Sequence, residues 1–110
     1  MSNWVDICKT DDILPNMGRC ALFEGEQVAI FRVVEAGQEN FYAINNFCPF
    51  SDANVISRGI VGSISDKAVV ASPLYKQHFV LATGECLEDE QVSVKTYPVR
   101  LEGDTVQLGA

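Results

Sequence analysis

The chain has 110 residues, 47% of them apolar and 21% charged, the profile of one soluble-type domain spanning residues 1–110. Its net charge of −7 excludes the basic surface that a nucleic-acid backbone requires and opposes contact with an anionic membrane. No apolar run approaches the roughly 20 residues that cross a bilayer, and the start lacks the basic-then-apolar order of a secretory leader, so a cytoplasmic location is expected.

Trp4-Val5-Asp6-Ile7-Cys8 alternates apolar and polar residues and predicts a half-buried strand. Thr10 or Asp11 is expected to cap one helical turn over Asp12–Leu14, which Pro15 ends. Arg19 to Phe23 predicts a second strand, and Glu24-Gly25-Glu26 a hairpin turn in which Gly25 is free to take positive φ. Gln27 to Val34 is β-branched and aromatic, as a central strand would be. A polar turn over Glu35–Asn40 leads to a strand at Phe41–Ile44.

Ser51 to Arg58 reads as a turn or a short helix. Gly59–Ile64 and Lys67–Ala71 predict strands joined by Ser65-Asp66, and His78–Leu81 another that ends at Thr83-Gly84. Glu88-Asp89-Glu90 reads as a solvated acidic turn. Thr96–Leu101 and Thr105–Leu108 form a closing hairpin around Gly103-Asp104. Pro98 donates no hydrogen bond, which places its strand at an edge or a bulge. Short strands without sustained helical periodicity make the fold class all-β.

Two loops stand out, Cys48-Pro49-Phe50-Ser51 and Ser72-Pro73-Leu74-Tyr75. Each has Pro in second place and a ring in third or fourth. Together with Val69-Val70-Ala71, Phe79-x-Leu81-x-Thr83-Gly84 and Tyr97-Pro98-Val99, they resemble the Rieske domain, whose loops read Cys-x-His and Cys-x-x-His. The resemblance implies a sandwich of three small antiparallel sheets with both loops at one tip. It also puts Cys48, Phe50, Ser72 and Tyr75 at the four ligand places.

A Rieske centre binds one iron through two thiolates and the other through two imidazoles. This chain has one histidine, His78, and it lies outside those places. No cluster is therefore expected, and no catalytic, cofactor-binding or metal residue is assigned. The four cysteines, at 8, 20, 48 and 86, form no Cys-x-x-Cys pair, and each is expected to be a small buried apolar side chain. A reactive Cys48 would need a base or cation nearby, for which His78 and Lys76 are the sequence neighbours. Phe50 and Tyr75 are expected to fill the cluster's volume as an apolar plug, the alternative being two rings splayed into solvent.

A narrower resemblance rests on Trp4-x-Asp6-Ile7-Cys8, Asp11-Asp12-Ile13-Leu14-Pro15, Glu26 to Arg32, Ser57-Arg58-Gly59, Lys76-Gln77 and Glu88 to Gln91. These are similar to the small subunit of bacterial assimilatory NAD(P)H nitrite reductase. That resemblance implies a large-subunit partner carrying FAD, sirohaem and an iron–sulfur cluster, and reduction of nitrite to ammonium in nitrate assimilation. This chain would dock or stabilise, with Phe47, Pro49, Phe50, Leu74, Tyr75 and Lys76 as docking candidates. The alternative is a free-standing interaction module with no redox role.

Overall fold

The longest strand grows from the longest β-branched run. In the computed structural model, which describes residues 4–35, 37–74 and 76–109, ten residues from Glu26 to Glu35 make one continuous strand. Its side chains alternate between two cores. Val28 and Ile30 join one that contains Phe23, Ala43, Tyr97, Val106 and Leu108. Ala29, Phe31 and Val33 join the other, with Ile44, Cys48, Ile56, Val70, Phe79 and Leu81. A strand buried on both faces cannot alternate apolar with polar residues, which is why this stretch reads as an unbroken apolar run.

The strands are β1 (Trp4–Lys9), β2 (Met17–Phe23), β3 (Glu26–Glu35), β4 (Gln38–Asn45), β5 (Phe47–Cys48), β6 (Ala53–Asn54), β7 (Ile60–Ile64), β8 (Lys67–Ala71), β9 (His78–Val80), β10 (Thr96–Tyr97), β11 (Val99–Glu102) and β12 (Thr105–Gly109). The order β10-β4-β3-β2 forms the middle layer. One outer layer is β1-β12-β11 and the other β7-β8-β9, each packed across one of the two cores. All pairings are antiparallel. The expected all-β, Rieske-like sandwich of small sheets is thus the observed architecture. A fourth element, the two-stranded ribbon β5-β6, adds to the three sheets and carries the first loop.

Local chemistry explains the turns. Glu24 and Gly25, at φ +51° and +79°, link β2 to β3 in the predicted hairpin turn, with the third residue expected in that turn, Glu26, already in β3 and paired to Phe23. Two expectations move. The helical turn forms over Thr10–Asp12, two residues early, and its cap is Lys9, whose backbone N–H donates to Asp12 Oδ2 at 2.8 Å. Ile13 leaves this 3₁₀ turn in an extended conformation because its side chain is drawn into a core, where it is 1% exposed. Arg32 then holds the turn, donating to the carbonyls of Thr10 and Ile13 at 3.3 and 3.0 Å and pairing with Glu39 at 3.0 Å.

The strand expected over Thr96–Leu101 is two strands in two sheets. β10 pairs with β4, and β11 with β12. Pro98 lies between them, with no N–H to offer either ladder, and its carbonyl accepts from Gly109 N at 2.9 Å. Both halves are edge strands. No helix is long and apolar enough to cross a membrane among the described residues.

Candidate functional site: two matched loops

The two loops share one backbone design. In the first, Asp52 N donates to the Cys48 carbonyl at 2.8 Å; in the second, Lys76 N donates to the Ser72 carbonyl at 3.0 Å. Each five-residue turn closes on a non-glycine residue at positive φ, +55° for Asp52 and +61° for Lys76. Cys48 and Ser72 occupy the same first place, and their side chains meet, Sγ to Oγ, at 3.4 Å. Both are buried, at 0% and 1% exposure.

Distinct anchors hold the loops in this register. Before the first stands Asn46, 2% exposed. Its side chain accepts from Ser57 N at 2.7 Å and donates to Gln27 Oε1 at 3.1 Å. Its backbone N–H donates to the Gln27 carbonyl and its carbonyl accepts from Ile56 N. The 3₁₀ turn Ile56–Arg58 is thereby pinned under the loop, and Gly59 brings it against the second. A Cβ at Gly59 would lie 2.3 Å from the Ala71 carbonyl oxygen, immediately before Ser72. The second loop is held from its far side. His78 N donates to Glu88 Oε1 at 2.7 Å, and His78 Nδ1 lies 2.6 Å from Glu88 Oε2. Glu88 was expected to be a solvated charge, but the backbone donor and ring nitrogen of His78 claim its carboxylate. Burial works against its ionised form, yet those hydrogen bonds hold it below the usual carboxylate range.

The predicted site residues separate into three groups. Phe50 turns inward, packing on the core with its ring tilted against Phe79 at 6.2 Å between centroids. Phe47, Pro49, Leu74 and Lys76 are exposed, Leu74 to 57%. Tyr75, the other half of the expected plug, lies outside the described residues.

The donor set does not fit a Rieske cluster. One thiol, Cys48, faces a hydroxyl where a second thiolate would be needed, and the Phe50 ring lies against Phe79 where an imidazole would be needed. The single imidazole is engaged by Glu88. No three His, Cys, Asp or Glu side chains gather as a metal site would require among the described residues. Neither His78 nor Lys76 is hydrogen-bonded to Cys48 there. Burial pushes the Cys48 thiol up, but the Ser51 and Ser72 hydroxyls and the Ser51 and Phe50 backbone more than offset this and leave it below its ordinary value. Its full burial denies an external electrophile access to the sulfur. The expectation of four buried cysteines holds at Cys48 and Cys86 but not at Cys8, which is half-buried, nor at Cys20, which is exposed on β2, an edge strand, with its thiol 3.5 Å from Gln27 Oε1.

Sequence reasoning missed a polar triad beside the first loop. Tyr97 donates its hydroxyl to Glu26 Oε2, and Asn45 Nδ2 donates to the same oxygen at 2.9 Å. Burial and the Glu26 carboxylate push the Tyr97 hydroxyl up to about 12, so it remains a donor at any physiological pH. The Lys95 ammonium lies over the Tyr97 ring, 4.9 Å from its centroid. Glu26, Asn45 and Lys95, with Phe47 and Pro49 from the loop, line an open groove of about 390 Å³. The only sequence signal for it was the paired Asn45-Asn46 at the loop mouth.

Known proteins share both the sequence and the shape. The Rieske-like [2Fe-2S] domain family matches residues 3–109. The nitrite reductase (NADH) small subunit of Salmonella typhimurium is 53% identical over 108 residues, 98% of each chain. The NMR structure of the E. coli protein NirD superposes with a TM-score of 0.89 at 50% identity, covering 100% of this chain and 98% of that one. The nitrite reductase [NAD(P)H] large subunit of Klebsiella oxytoca contains a segment 36% identical over 106 residues, 96% of this chain but 11% of that one. With its layered sheets, its two matched loops and full-length identity above one half, this chain belongs to the Rieske-like domain family and, within it, to the small subunits of nitrite reductase.

Proposed function

We propose that the chain is the small subunit of an NAD(P)H-dependent nitrite reductase, which converts nitrite to ammonium in cytoplasmic nitrate assimilation. In this reading it binds no cluster and acts by docking to and stabilising the large catalytic subunit, which carries FAD, sirohaem and an iron–sulfur cluster. One observation carries the proposal: the Klebsiella oxytoca large subunit holds this same domain within its own chain. A domain that is covalent in one relative and separate in another is expected to keep its contacts with the catalytic part. The Cys48–Ser72 pair and the Phe50 ring support contact over electron transfer, because a hard hydroxyl and a phenyl group with no lone pair stand where iron would need thiolate and imidazole.

The test is purification of this chain with its large subunit, followed by nitrite-reduction assays with and without the small chain. A stable complex is expected, with faster loss of activity when the small chain is withheld. The isolated chain should be colourless and free of iron and sulfide. Stoichiometric iron and sulfide in the untreated chain would overturn the contact-only role, and failure to form a complex would overturn the subunit assignment.

A further inference from the structure

The groove beside the first loop holds a carboxylate prepared for a guest. Glu26 Oε2 accepts two hydrogen bonds, from the Tyr97 hydroxyl and Asn45 Nδ2, while Oε1 accepts none among the described residues. An ionised carboxylate has lone pairs on both oxygens. One oxygen therefore orients the group and the other is left to a partner. Tyr97 is buried at 7% exposure, so the support beneath Glu26 is fixed before any guest arrives. Phe47, 39% exposed as a residue, and Pro49 supply an apolar wall to the same groove. Lys95, the cation among the groove's lining residues, is drawn over the Tyr97 ring, and no ion pair to Glu26 forms among the described residues.

Resting on the nitrite reductase reading, we propose that this groove receives an arginine side chain of the large subunit, its guanidinium on Glu26 and its flat face on Phe47. Charge complementarity favours a basic guest, since the whole chain carries a net charge of −7 and the groove presents a preorganised anion. Arginine fits better than lysine because its weakly hydrated plane can stack on a ring while donating to one carboxylate oxygen. The seat takes its apolar wall from the first loop, and Leu74 and Lys76 of the second loop do not line it.

Affinity of the full chain for its purified large subunit, measured over a range of salt concentrations, tests the assignment. Glu26→Gln keeps an oxygen for Tyr97 and Asn45 but removes the charge. It should weaken the complex by about tenfold or more and flatten its salt dependence. Phe47→Ala should weaken it too, whereas Leu101→Ala, on the closing hairpin outside the groove, should not. Lys95→Ala should leave binding equal or tighter, because it removes a cation near a cationic guest. Unchanged affinity in Glu26→Gln, with native folding shown by its thermal melt, would overturn the proposal, as would weakened binding in Lys95→Ala, the mark of an acidic guest. A wild-type chain that forms no complex would instead remove the subunit assignment, and this inference with it.

Discussion

The two loops have the same closing hydrogen bond and the same left-handed backbone conformation at their last residue, yet they treat their third residue in opposite ways. Phe50, third in the first loop, packs inward on Phe79; Leu74, third in the second, is 57% exposed. Their anchoring differs in parallel. The first loop is fixed by Asn46, whose buried amide and backbone bind two segments, β3 at Gln27 and the 3₁₀ turn at Ile56 and Ser57. The second is fixed on its exit side by a half-exposed pair, His78 and Glu88. Matched backbones need not share a role: one loop is an extension of the core, the other presents surface.

Substitutions can break this contrast, and the largest effect should come from the buried anchor. Asn46→Ala strands the Ser57 N–H and is expected to cost about 3 kcal/mol in urea-unfolding stability, since a buried unsatisfied donor costs about 1–3 kcal/mol and packing is lost as well. Phe50→Ala should follow at about 2 kcal/mol, the scale for removing a half-buried ring from a core. A cost near zero there would mean that the first loop is surface like the second.

Smaller effects sharpen the other side. Glu88→Gln should cost about 0.5 kcal/mol near neutral pH, the range of a partly exposed pair. The depressed Glu88 carboxyl stabilises the fold above its unfolded value of 4.5 and loses that contribution as pH falls through the lower folded value. The difference between wild type and Glu88→Gln should therefore shrink in melts run below pH 4.5. Leu74→Ala should change stability by no more than about 0.5 kcal/mol, as surface substitutions do. A loss near that of Phe50→Ala would erase the distinction between the loops.

The frame was legible because its signals are local. The β-branched and aromatic run Gln27–Val34 reads as a central strand, Glu24-Gly25-Glu26 as a hairpin turn, and Pro98 as an edge or a bulge. The inventory of His and Cys was legible as well, being a count. The polar contacts were not. Glu26 and Tyr97 are 71 positions apart, and His78 meets Glu88 only because the second loop's exit strand lies beside the acidic segment. Nothing in an acidic run tells which member will find a donor. Cys20 misled for a similar reason: a small apolar residue in a strand gives no sign that the strand lies at a sheet's edge.

The two-faced strand β3 has a thermodynamic consequence. Because it walls both cores, neither can melt while the other stays whole, and denaturation should proceed as one cooperative step. Trp4, the sole indole, sits in the outer layer on β1, yet its fluorescence should track the collapse of the distant loop pair with the same midpoint as any probe placed there.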